Sequence, residues 1–195
     1  TGLKNTLVGG RSGASLTDAD SNTAIGEEAL NSDTLGSKTT ALGFRTLYNQ
    51  NFTSATDSFN VAVGHDAGLN VTTGRQNTLM GGVAGDALTD ADENVAIGYA
   101  ALSTDTLGSK STAIGFAALN GQNFTSATDS RNTAVGHTAG ISVTTGKDNT
   151  LIGEQAGYYI TTGSKNTILG RYTGNSDGLD IRTSSNNIVL SDGDG

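Results

Sequence analysis

The sequence predicts an all-β solenoid, a coil of about ten to eleven stacked turns, and three observations lead there. The first is a pentad, Asn22-Thr23-Ala24-Ile25-Gly26, whose relatives recur at 5–9, 39–43, 60–64, 77–81, 94–98, 111–115, 132–136, 149–153 and 166–170, with a degenerate copy at 187–191. The second is the spacing of the copies: 17 residues, lengthened to 21 after Thr39, Ser111 and Asn166. A fixed period of that size marks stacked supersecondary units. The third is a composition too poor for an ordinary globule, with 34% apolar and 5% aromatic residues, 28 glycines and no proline. A disordered polar chain would have no reason to hold two apolar residues in strict register, so a small core must be shared out turn by turn.

Each unit reads as a short strand, a glycine turn, a second short strand, and a turn of Thr, Gly and Asp. The leading Asn suits a turn, where its side chain bonds backbone and can reach its neighbour one rung along. Three residues after the glycine every unit has a small residue, such as Ala29, Ala67 or Ala101. The strand carries two adjacent apolar residues in nearly every unit: Ala24 with Ile25, Ala41 with Leu42, Ala62 with Val63, Leu79 with Met80, Ala96 with Ile97. Ala113 with Ile114, Ala134 with Val135, Leu151 with Ile152 and Ile168 with Leu169 continue the series. Neighbours on a strand point to opposite faces, so both faces are expected to be buried. One face closes the core of the coil. The other requires a partner, and a parallel homo-oligomer is the simplest source. A unit burying about two large side chains gains roughly 3–6 kcal/mol, far below the ordering cost of about 1.5 kcal/mol per residue. No unit stands alone. At ~4.8 Å per strand the coil should be a rod of roughly 50 Å.

A longer period overlies the short one. Residues 5–76 align on 77–148 with 48 of 72 positions identical, the mark of a duplicated four-unit block. A partial third copy starts at 149. The expected organisation is a repeat rod over 1–170, then a degenerate last rung and end segment over 171–195. The chain opens on Thr1 and reads as a piece of something longer.

The net charge of −8 gives no electrostatic support to nucleic-acid binding. No apolar run approaches the length of a membrane span. Without cysteine there is neither a disulfide nor a thiolate metal site. No nucleophile, base and orienting group come together, so the chain is read as a non-enzyme without a cofactor. His65 and His137 follow the unit glycine at a place that also carries Glu27, Phe44, Tyr99 and Arg171. A place that accepts charges and rings alike is read as solvent-facing rather than metal-binding. Asp18 with Asp20, Asp90 with Asp92, and Asp192 with Asp194 are read as solvated acidic turns, each short of the ligands calcium needs.

The four extra residues of the long units fall within 48–58 and 120–130 and should form outward loops. Tyr48, Phe52 and Phe124 are the candidate binding residues there, since an aromatic face among amides and hydroxyls suits a sugar ring. The competing reading is a structural clamp, because 50–58 recurs unchanged at 122–130. Ring exposure discriminates between the two.

The NTAIG, NVAIG and NTAVG units, with their small residue three places on, resemble the head repeats of trimeric autotransporter adhesins. Asn132-Thr133-Ala134-Val135-Gly136 through Thr144-Thr145-Gly146 is more similar still to the arrays of bacteriophage tail fibres. The run 184–195 resembles the segment that precedes the self-cleaving trimerisation chaperone of many phage fibres. The resemblance implies a left-handed parallel β-roll assembled as a parallel homotrimeric rod. It implies a virion tail-fibre segment engaged in host attachment, with a cell-surface glycan or outer-membrane receptor as partner. A bacterial surface-adhesin head and a plain extracellular filament are the alternatives.

Overall fold

In the computed structural model, residues 2–176 and 178–192 are described. They form a parallel β-solenoid of about eleven turns, here called rungs, with rung 1 starting at Asn5. Three-residue strands from successive rungs, Thr6–Val8 through Ile188–Leu190, stack into one 11-stranded parallel sheet in chain order. Register is strict: Thr23, Ala24 and Ile25 lie over Thr6, Leu7 and Val8 and under Thr40, Ala41 and Leu42. Among the described residues there is no helix.

The middle residue of each strand points inward. Ala24, Ala41, Ala62, Leu79, Ala96, Ala113, Ala134, Leu151 and Ile168 are fully buried. The third residue points outward and stays half-buried or exposed, as with Ile25, Met80 and Leu169. Within one chain, then, only one of the two expected faces is covered.

The leading Asn holds the rungs together. Asn77 Oδ1 accepts the Asn94 backbone N–H at 2.9 Å, and its Nδ2 donates to the Ala91 carbonyl at 2.8 Å. Asn22, Asn60, Asn94, Asn132, Asn149 and Asn166 repeat the pattern. All seven are fully buried, so these bonds satisfy amides that would otherwise be costly to bury.

The second strand expected in each unit does not form. Beyond Gly26 the chain alternates handedness instead: Glu28 and Leu30 both have positive φ, 57° and 52°. The amides of this stretch bond along the rod in alternate directions, Glu28 to the Gly10 carbonyl and Leu30 to the Thr46 carbonyl. Rung-to-rung bonding is thereby kept without extended backbone. The unit glycine enforces the preceding corner. Gly26 has φ +135, and a Cβ there would collide with the Gly43 carbonyl oxygen, so no other residue fits.

Extra two-residue strands occur at the long rungs. Gly36–Ser37 pairs in parallel with Thr56–Asp57, and Gly108–Ser109 with Thr128–Asp129. The third lengthened rung forms an antiparallel hairpin, Asn175–Ser176 with Leu179–Asp180.

Candidate functional site

The lengthened rungs point both outward and inward. Thr53 to Ala55 and Thr125 to Ala127 are exposed tips. Phe52 and Phe124, however, are only 4% and 6% exposed. The Phe52 ring packs on Gly36, where an added Cβ would meet its Cδ2 at 2.7 Å. Buried rings offer no stacking face, so the proposed sugar platform is corrected to a clamp. Tyr48 is half-buried beneath Arg45, whose guanidinium carbon lies 5.3 Å from its ring centre.

The clamp is anchored by a buried polar network that no sequence motif marks. The first two long units open on Thr39 and Ser111 instead of Asn, and a Gln amide takes over the missing role. Gln50 Nε2 donates to Asp33 Oδ2 at 2.6 Å and to Thr39 Oγ1 at 3.0 Å, while its Oε1 accepts from Asn60 Nδ2 at 2.8 Å. Asp33 Oδ1 also accepts the Gly36 and Phe52 backbone N–H groups. The second block repeats the set with Gln122, Asp105, Ser111 and Asn132. Asp33, Gln50, Asp105 and Gln122 are fully buried. Each carboxylate has three donors and, among the described residues, no cation, so hydrogen bonds offset its desolvation. The identity of 50–58 with 122–130 was the signal in the sequence. Its meaning needed the fold.

His65 and His137 lie on the surface, as their place in the repeat predicts. Each stacks on a ring one rung back, His65 on Phe44 at 5.1 Å and His137 on Phe116 at 5.2 Å. Tyr99 extends the second stack, 5.6 Å from Phe116. Among the described residues no group of three or more His, Asp or Glu side chains is placed to hold a metal ion. Asp18, Asp20 and Asp90 are exposed and Asp92 is half-buried, while Asp194 lies outside the described residues.

Asp66 and Asp86 are half-buried and near enough for their charges to interact. Burial raises the Asp86 carboxyl above its ordinary range; a backbone hydrogen bond opposes this, and the Asp66 charge adds to it. One oxygen of each has no hydrogen bond. Arg45 Nη1 approaches Asp66 Oδ1 only to 3.8 Å, a charge contact alone.

One uncovered apolar feature is the outer face of the sheet. Its two columns are the first strand residues, mostly Thr, and the third, which run Val8, Ile25, Leu42, Val63, Met80, Ile97 and onward to Leu190. A second surface feature is an open groove lined by Asn49, Asn51, Asn70, Thr72, Thr89 and Thr106. No protein-family model matches this chain, and neither does any curated protein or solved structure. Functional assignment therefore rests on geometry and on the residues themselves.

Proposed function

We propose that the chain is a structural and adhesive segment of a bacteriophage tail fibre, assembled as a parallel homotrimeric rod and engaged in host attachment. The observation that carries this is the uncovered sheet face. An in-register apolar column running through all eleven strands is far too regular to be scattered surface hydrophobicity. Covering it with identical columns would stabilise the assembly by on the order of 1–2 kcal/mol per rung. That gain falls where the sparse inner core, largely alanine, is weakest. Host attachment and virion location rest on the resemblance of the repeats to fibre arrays. The Asn- and Thr-lined groove offers the kind of surface a cell-surface glycan could use.

Light scattering on the purified chain tests the assembly, and a three-fold mass is the expected result. Ile97→Lys with Ile114→Lys should yield folded monomer, because both side chains point away from the core. A folded parent monomer would overturn the proposal. Attachment is tested by competition: purified rod should block adsorption of a virion carrying this chain. Rod that binds host-cell or matrix molecules without affecting virion adsorption would favour the bacterial adhesin.

A further inference from the structure

Two surface columns border the outer sheet face, one at each edge. The leading column is the residue just before each Asn, and the trailing column is the residue just after each unit glycine. Within one rung they stand six residues apart, up to roughly 20 Å at ~3.3 Å per residue, so they do not meet inside one chain. Four of the five exposed aromatic residues among those described, Phe44, Phe59, Tyr99 and Phe116, lie in these two columns. In a ring of parallel copies joined by their sheet faces, the leading edge of one copy meets the trailing edge of the next, a heterologous contact that closes.

Side chains in the two columns lean in opposite directions. In the leading column they reach toward the C-terminal rung: Lys38 Nζ lies 5.1 Å from the Phe59 ring centre, and Arg131 Nε is 2.7 Å from Asp148 Oδ1. In the trailing column they reach back. Tyr99 Cδ2 lies 3.4 Å from the point a Cβ on Gly82 would occupy, and Arg171 Nη2 donates to Gln155 Oε1 at 3.1 Å. Both leans bring a leading residue opposite the trailing residue of the following rung.

The internal repeats select the same register. At one equivalent level the pair is Lys4 with Glu27, then Gln76 with Tyr99, then Asp148 with Arg171. The charges run plus with minus, neutral with neutral, minus with plus, so both members change in concert. At another level Phe59 faces Gly82 in the first block, and Arg131 faces Glu154 in the second. A large ring is matched with an empty place, and a cation with an anion. Glu27 and Glu154 form no ion pair within their own chain among the described residues. Lys38 and Lys110 would stand opposite His65 and His137, each ammonium already paired in its own chain, with Asp57 at 2.6 Å and Asp129 at 2.7 Å. Same-rung pairing would instead set Asp148 against Glu154 and Lys165 against Arg171, like against like.

Gly82 also interrupts the aromatic stacks. His65 ends one and Tyr99 begins the other, two rungs apart, or about 10 Å at ~4.8 Å per rung. A ring inserted midway would sit about 5 Å from each, within the range of stacked aromatic pairs. That matches the 5.1 and 5.6 Å spacing of the stacks on either side.

We infer that in the closed ring, with the copies level, each leading residue packs against the trailing residue of the following rung of the next copy, with Phe59 of one copy seated over Gly82 between His65 and Tyr99 of the next. This rests on the proposed homotrimer and specifies the register at its seams. The chain has no cysteine, which makes the test direct. Asp148→Cys is combined in turn with Arg171→Cys, Glu154→Cys or His137→Cys, representing the inferred, same-rung and opposite registers. Disulfides within a chain are out of reach across the sheet. Only the double variant Asp148→Cys with Arg171→Cys should give a covalent trimer on a non-reducing gel. A trimer by light scattering that cross-links instead in the variant carrying Glu154→Cys or His137→Cys overturns the register and leaves the homotrimer standing. A monomer by light scattering overturns both. A second arm transplants one seam pair. Phe59→Arg alone should speed trimer dissociation about tenfold or more, as expected for three lost ring contacts. Phe59→Arg with Gly82→Glu should return it to within about twofold of the parent. Equal dissociation of parent, single and double variants would refute the seating of Phe59.

Discussion

Rung 5 and the pair formed by rungs 6 and 7 fill the same coil by opposite means. Rung 5 is dry. Leu79 comes from the strand and Leu88 from the far side, and Gly85 between them leaves room for both. In rungs 6 and 7 the strand supplies only Ala96 and Ala113. Leu102 and Leu119 take the place of Gly85, and Asp105 and Gln122 take the place of Leu88. One arrangement is hydrocarbon apart from the recurring Asn, here Asn77; the other has a polar centre held by hydrogen bonds. The difference teaches that a rung is specified by its total volume and by completed hydrogen bonding, with wide latitude in which position supplies either. A dry rung degrades gradually as methylenes are lost. A wet rung fails at once when one partner is removed, since the remaining groups stay buried.

The largest expected effect breaks the wet pair. Asp105→Leu leaves the Gly108 and Phe124 amides without their acceptor and takes one of the acceptors of the Gln122 amide, Ser111 Oγ remaining, at a cost of about 3–5 kcal/mol. Hydrogen exchange at those two amides is the readout. Adding Gln122→Leu should recover less than half of the loss, because the Gly108 and Phe124 amides stay without their acceptor while only the Gln122 amide is replaced by hydrocarbon, Asn132 keeping the Gly146 carbonyl. A double variant less stable than the single one would show that the contrast between wet and dry rungs is misread. Next comes Leu88→Ala in the dry rung, at about 2–4 kcal/mol by thermal or urea unfolding, with no single amide exposed selectively.

A swap sharpens the comparison further. Gly85→Leu alone would press on Leu79 Cδ2 and Leu88 Cδ1, whose atoms lie 2.8 and 2.9 Å from the new Cβ, costing roughly 1–3 kcal/mol. Combined with Leu79→Ala it reproduces the Ala96 and Leu102 arrangement and should fall within about 1 kcal/mol of the parent. If the double variant is no better than Gly85→Leu, strand and coil positions do not share one volume.

The smallest effect concerns Asp86, at the margin of the dry rung. Its folded carboxyl titrates above the ordinary range, so the folded state binds the proton more tightly than the unfolded chain does. Its contribution is therefore full below the ordinary carboxylate range and is lost as pH rises through the raised value. Asp86→Asn should thus stabilise the rod at neutral pH relative to the parent, with the gain vanishing in acid. Melting curves on both sides of that window check the sign.

The period, the strand pentad, the duplicated block and the bonding role of Asn22 and its equivalents were all legible in the sequence. Each is written afresh in every unit, and a strict repeat can only be satisfied by stacking identical geometry. The clamp residues were visible as an unchanged segment from 50 to 58, yet their inward direction was not. Whether Phe52 seals a rung or faces solvent depends on Gly36, contributed by the turn before it. The missing second strand has a similar cause. Glu28 and Leu30 have no intrinsic preference for the left-handed region, and only bonds to the rungs on either side hold them there. By itself, then, the sequence determined what recurs along the axis. The tertiary structure decided what happens across it, meaning which face is covered, which Phe is buried and which amide replaces which Asn, because those depend on atoms that neighbouring rungs bring within reach.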